Sequence, residues 1–176
     1  SRARKGAVYD QIGPIYAGQR LSTKNHPRGY SVIVYEKGGW VLHMLRMMLF
    51  DPNHPNDKDA RFKAMMKDFT KTYYNQAAST EDFQAIVEKH MIPSMDVDRN
   101  GTMDWFFDSW VYGTGIPTYE LRYSIEPAPQ SDQFILKGML KQKNVRDDFK
   151  MIVPLYLHQG KGSVRAGWLT ARSQET

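Results

Sequence analysis

Positions 35–50 are apolar almost all round a helical projection, and only Gly39, His43 and Arg46 break the pattern. A stretch of that kind predicts a buried helix with one narrow polar or small stripe. The run Asp51-Pro52-Asn53-His54-Pro55-Asn56-Asp57 follows, rich in turn formers, and no helix crosses it. Phe62, Met65, Met66 and Phe69 then recur at three- and four-residue spacing, which predicts a second helix over 59–73 that buries all four. Ser79-Thr80-Glu81-Asp82 offers a cap and an acidic first turn to a third helix carrying Phe83, Ile86 and Val87. That helix has to end before Pro93. A fourth is expected over 103–112, stopping at Gly113 and Gly115, residues suited to a left-handed terminus.

Beyond Pro117 the period changes to two. Tyr119, Leu121, Tyr123 and Ile125 alternate with Glu120, Arg122 and Ser124. Three more strands are expected over 134–140, 149–157 and 163–169, with turns at 144–148 and 159–162. Strands at this spacing predict one sheet or part of a sandwich. The reading is an α+β chain in two bodies, a helical 1–117 and a β-rich 118–176.

Composition narrows the classes of function. Of 176 residues 41% are apolar, enough for a packed core, and the net charge of +5 is scattered. Only Arg2, Arg4 and Lys5 cluster, and so short a basic start reads as a solvated end, with no nucleic-acid partner expected. The absence of cysteine excludes disulfides and thiolate metal sites and leaves exported and cytoplasmic locations both open. The longest apolar run, 40–50, is interrupted by His43 and Arg46 and is too short to span a bilayer. No apolar stretch follows the basic start, so no signal peptide is expected there. The limits at Ser1 and Thr176 read as those of a cut-out.

Little of the chemistry expected of an enzyme is present. The histidines are His26, His43, His54, His90 and His158, and no two lie three or four apart, so no helix offers a pair to a metal. His43 is expected to be a hydrogen-bonded residue on the polar stripe of its helix. No phosphate-cradling glycine loop and no G-x-S-x-G elbow occurs. Asp96, Asp98, Asn100, Gly101 and Asp104 do fall at positions 1, 3, 5, 6 and 9 of a calcium-binding EF-hand loop. Against that reading, position 12 is Phe107 instead of the bidentate glutamate, and Pro93 breaks the incoming helix. An Asp/Asn/Gly turn into a helix capped by Thr102 accounts for the same residues.

Three segments carry a resemblance. Val34-Tyr35-Glu36-Lys37-Gly38, continued by Trp40-Val41-Leu42-His43-Met44-Leu45-Arg46, resembles the Y-E-K-G helix of the aminopeptidase N family of gluzincin zinc metallopeptidases. Ala78-Ser79-Thr80-Glu81-Asp82-Phe83 is similar to a later landmark helix of that family. The run from Asp104-Trp105-Phe106-Phe107 to Gly113-Thr114-Gly115-Ile116-Pro117 resembles the segment that closes its catalytic domain. They occur in the family's order, and the resemblance spans about residues 10–170.

The resemblance implies an all-helical half of a thermolysin-like catalytic domain followed by a partial antiparallel β-sandwich. It also implies a role for Tyr35: in the family this tyrosine donates a hydrogen bond to the oxyanion that forms when a zinc-activated water attacks a peptide carbonyl. A phenol suits the task, since an unperturbed pKa near ~10 keeps it protonated at neutral pH. Tyr30 is a further candidate for the wall of the same cleft, while Glu36 and Lys37 are expected to orient the helix start and Trp105, Phe106 and Trp110 to be core. The zinc ligands, the general base and the residues anchoring the free amine would lie upstream of Ser1. The expectation is a fragment of a zinc aminopeptidase, inactive alone, whose partners are a peptide and the missing half of the domain, and which self-associates through exposed strands. A zinc-free scaffold of the same fold is the alternative, with a calcium-binding interaction module further behind.

Overall fold

The structure, a computed structural model, describes residues 12–54, 56–129, 133–160 and 162–172. The basic cluster of Arg2, Arg4 and Lys5, and Pro55 of the turn-rich loop, lie outside the described residues. The chain is mixed α+β and divides into two compact units, Ser1–Thr114 and Gly115–Thr176.

Among the described residues the first unit has a 3-10 helix, Ile15–Leu21, and then a π-helix, Ser31–Lys37, that runs directly into α1, Gly38–Leu49. At the junction the Gly38 N–H reaches the Ile33 carbonyl, five residues back. α1 buries Val41, Leu45, Met48 and Leu49. The expectation of a helix buried all round fails on the other side. Tyr35 is 66% exposed and Trp40 68%, and Leu42 and His43 are exposed as well. His43 stands edge-on to Trp40, ring centroids 5.8 Å apart, so its place is on an open aromatic face and not on a buried stripe. An all-round apolar pattern reports that some neighbour suits each face, and within this unit α1 has neighbours on one face only.

α2, Ala60–Thr72, fully buries Met65 alone of its four expected core residues; Phe62, Met66 and Phe69 are half-buried. α3, Thr80–His90, starts with a reciprocal cap: Ser79 Oγ accepts from the Asp82 N–H at 3.1 Å, and the Asp82 carboxylate accepts from the Ser79 N–H at 2.9 Å. α4, Asp104–Trp110, carries the densest core, with Trp105, Phe106 and Phe107 buried and Trp110 half-buried. Edge-on ring contacts run from Phe69 through Phe83 to Phe107 and Phe106, tying α2, α3 and α4 together. The Trp105 indole N–H donates to the Met95 carbonyl at 2.9 Å.

Two local expectations need correction. Thr102 does not cap α4: its hydroxyl donates to Asp104 Oδ2, and the orphan N–H of Met103 is taken by Glu88 Oε1 from α3 at 2.9 Å. Gly113 does not supply a left-handed terminus either, because its φ is not positive. What it supplies is room, since a Cβ there would come within 2.6 Å of the Ser109 carbonyl oxygen and 2.7 Å of that of Asp108.

In the second unit β1, Thr118–Pro127, pairs antiparallel with β2, Phe134–Lys143, from Thr118↔Lys143 to Pro127↔Phe134. β3, Met151–Gln159, pairs with β4, Gly162–Ala171, with an irregularity at Leu155/Tyr156. The strands thus form two two-stranded sheets and not the single sheet that was one expectation. A side chain ties β2 to the segment before β3: Gln142 Nε2 donates to the Phe149 carbonyl at 3.0 Å. Leu140, Gln142, Phe149, Met151, Ile152 and Ala171 are the buried residues there. Among the described residues no helix is long and apolar enough to cross a membrane.

Candidate functional site

An open cavity of about 450 Å³ lies in the helical unit, and all three motif segments line it. Val34, Tyr35, Gly38 and Gly39 come from the first, Ala78, Ser79, Thr80 and Phe83 from the second, Phe107 and Val111 from the third. Ile15, Val41, Leu42 and Leu45 complete a mostly apolar wall. Gly38 and Gly39 keep it open, because a Cβ at either position would project into empty space.

One bond joins the first and third segments outright. Lys37 Nζ donates to the Gly113 carbonyl at 2.9 Å, across 76 residues of sequence. Lys37 therefore acts on the frame, fastening the end of the π-helix to the turn after α4. The second and third segments are joined by the Tyr112 hydroxyl, which donates to Glu81 Oε1 at 2.7 Å. Burial and the Glu81 carboxylate push the Tyr112 phenol up to about 12, and the same bond holds Glu81 below the usual carboxylate range.

Tyr35 sits on the cavity rim with its phenol in solvent. Tyr30 is half-buried beside it, the rings 5.4 Å apart and at 87°. The neighbouring Tyr35 hydroxyl raises the Tyr30 phenol above its ordinary value. The structure thus brings the two tyrosine candidates together.

It does not gather the metal candidates. Asp96 accepts backbone N–H bonds from Asn100 and Gly101 at 3.0 and 3.2 Å. Asn100 Oδ1 accepts from the Thr102 N–H and hydroxyl, and Asp104 accepts from Gln84 at 2.7 Å and from Thr102. The loop's oxygens close its own turn, and Phe107 at the twelfth position is buried. Among the histidines, His90 Nε2 lies 2.8 Å from Asp68 Oδ2 and His54 Nδ1 accepts the Asp57 N–H. Among the described residues no three His, Cys, Asp or Glu side chains group to hold a metal. A zinc ion, which needs three or four converging donors, does not fit what these residues offer.

Periodicity gave no hint of the Lys37–Gly113 bond or of the π-helix. The five-residue spacing of Tyr30 and Tyr35, the span of a π-helical hydrogen bond, was the available signal. Compared with known protein families and with curated proteins, the chain matches none.

Proposed function

We propose that this chain forms one wall of the catalytic cleft of a zinc-dependent aminopeptidase, with Tyr35 as donor to the oxyanion. On this reading Ser1–Thr114 is the C-terminal part of a thermolysin-like catalytic domain and Gly115–Thr176 is part of the β-sandwich that follows it. The observation that carries the reading is the convergence of the three motif segments on one cavity with Tyr35 at its rim. The segments are separated in sequence by the 31 residues 47–77 and the 20 residues 84–103, so their convergence is a tertiary feature and not a local one.

The role of Tyr35 follows from where its charge partner appears. A peptide carbonyl oxygen is a modest acceptor in the ground state and becomes anionic as the carbon turns tetrahedral. A phenol already in place binds that oxygen more tightly in the transition state, which lowers the barrier instead of only holding the substrate. One such donor is worth about 3–4 kcal/mol in a water-excluded site. The apolar wall of Val34, Leu42, Phe83 and Val111 helps exclude that water. The metal's ligands are assigned to residues outside this chain, so its chemistry belongs to the opposite wall. Partners on this reading are a peptide with a free N-terminus and the zinc-bearing half of the domain; the hairpin of β1 and β2 adds self-association when the chain stands alone.

The test is the reading frame upstream of the Ser1 codon. An H-E-x-x-H motif followed about one helix later by a glutamate is expected. An upstream frame of the same fold with those ligands replaced would overturn the enzyme reading in favour of a scaffold that kept its tyrosine. The 176-residue chain itself, given zinc and an aminoacyl-nitroanilide, is expected to release no product above blank.

A further inference from the structure

Loop 96–104 carries a chemistry other than metal binding. Of the six asparagines in the chain only Asn100 precedes a glycine. A glycine has no side chain to shield its backbone nitrogen, so that nitrogen can reach the carbonyl carbon of the preceding asparagine side chain and close a five-membered ring. The nitrogen bonds to Cγ, the Cγ–Nδ2 bond breaks, and ammonia leaves with the proton that the glycine nitrogen gave up. Water then opens the cyclic imide on either side, to aspartate or to isoaspartate. Asn100 and Gly101 are both exposed, and a Cβ at Gly101 would meet nothing within 4 Å, so neither water nor a turning side chain is barred.

Hydrogen bonds restrain the pair instead. Asp96 takes both backbone groups, Oδ1 accepting from the Asn100 N–H at 3.0 Å and Oδ2 from the Gly101 N–H at 3.2 Å. Asn100 Oδ1 in turn accepts from the Thr102 N–H at 3.0 Å, which ties down the side chain under attack. To react, the Gly101 nitrogen has to lose the proton that Asp96 holds, and negative charge would then build beside a carboxylate. Like charge opposes that, as does a bond that favours the protonated nitrogen. Asp96 is itself held in place, because Met95 and Val97 on either side are buried and the Met95 carbonyl accepts the Trp105 indole N–H.

We propose that Asn100 is a site of spontaneous deamidation and that Asp96 is the residue that restrains it. The change has a structural cost. Either product adds a charge beside the Asp96 carboxylate. Isoaspartate also lengthens the backbone by a methylene, within a turn where Arg99 and Gly101 already hold φ of 55° and 78°. That turn leads into α4, whose Phe107 lines the cavity.

The test is peptide-mapping mass spectrometry of the 176-residue chain incubated at mildly alkaline pH, beside a synthetic segment of residues 94–106. The segment keeps Asp96 but not its anchors, and it is expected to convert Asn100 to aspartate and isoaspartate at least about tenfold faster than the folded chain. Asp96→Ala is expected to raise the rate in the chain about tenfold, as the loss of a hydrogen bond to a charged group implies. Circular dichroism shows whether that variant keeps its helices; if it does not, the comparison of the parent chain with the segment decides. A segment that leaves Asn100 intact, a folded parent chain that converts as fast as the segment, or a folded Asp96→Ala no faster than the parent overturns the proposal.

Discussion

Asp68 on α2 holds two nitrogens from α3 on one oxygen: Lys89 Nζ and His90 Nε2 both lie 2.8 Å from Oδ2. The bonds to Lys89 and His90 bring its carboxyl down to about 2, against an ordinary value near ~3.9. A depressed carboxylate stabilises the fold above its unfolded pKa and ceases to do so as pH falls through its folded value. Asp68→Asn is therefore expected to lower the melting temperature at pH 6, and the difference from the parent chain should shrink between about pH 4 and pH 2. Thermal melts by circular dichroism at those pH values check it; a difference that persists at pH 2 would place the effect in packing. No sequence pattern announces this pin, because Asp68 and His90 lie 22 residues apart and on different helices. Tyr35 was singled out by its motif alone, whereas its ring contact with Tyr30 needed a backbone geometry that hydropathy does not encode.

At the scale of elements, local chemistry was the best guide. Ser79 and Asp82 form the capping box that their order predicts. Ser79→Ala should remove one of its two reciprocal bonds and cost about 1 kcal/mol, read as a shift of the urea midpoint at unchanged slope. An unchanged midpoint would mean that water replaces the hydroxyl at no loss. The cap on α4 was misread for an instructive reason: Glu88 reaches Met103 from another helix, so the partner is set by tertiary packing and not by the adjacent Thr102. The strands were placed by alternation, but alternation leaves open which of them pair, and β2 and β3 stay in separate sheets. Among the elements Ser31–Lys37 stands furthest from its sequence, since apolar periodicity distinguishes helix from strand and not one helical repeat from another.

At the scale of the molecule, each unit leaves an apolar face in solvent. In the hairpin of β1 and β2, Leu121, Tyr123, Ile125, Phe134 and Leu136 share one face and all are exposed, Tyr123 at 65% and Phe134 at 71%. The other face carries charge, with Glu126–Lys137 and Glu120–Lys143 paired across the strands at 2.7 and 2.6 Å. An amphipathic ribbon with its apolar side uncovered favours association. Sedimentation of the chain should show weight-average mass rising with concentration, and Ile125→Lys should suppress the rise. A sharp monomer at high concentration would contradict this.

The central proposal concerns one oxygen on Tyr35, and steady-state kinetics of this chain joined to the proposed zinc-bearing half, on an aminoacyl-nitroanilide, test it most directly. Tyr35→Phe removes that oxygen and leaves the ring on the cavity rim. The account predicts that kcat falls about a hundred- to a thousandfold while KM changes little, the signature of a bond made in the transition state. A kcat within a fewfold of the parent enzyme would return Tyr35 to a packing role and leave the cleft without its donor.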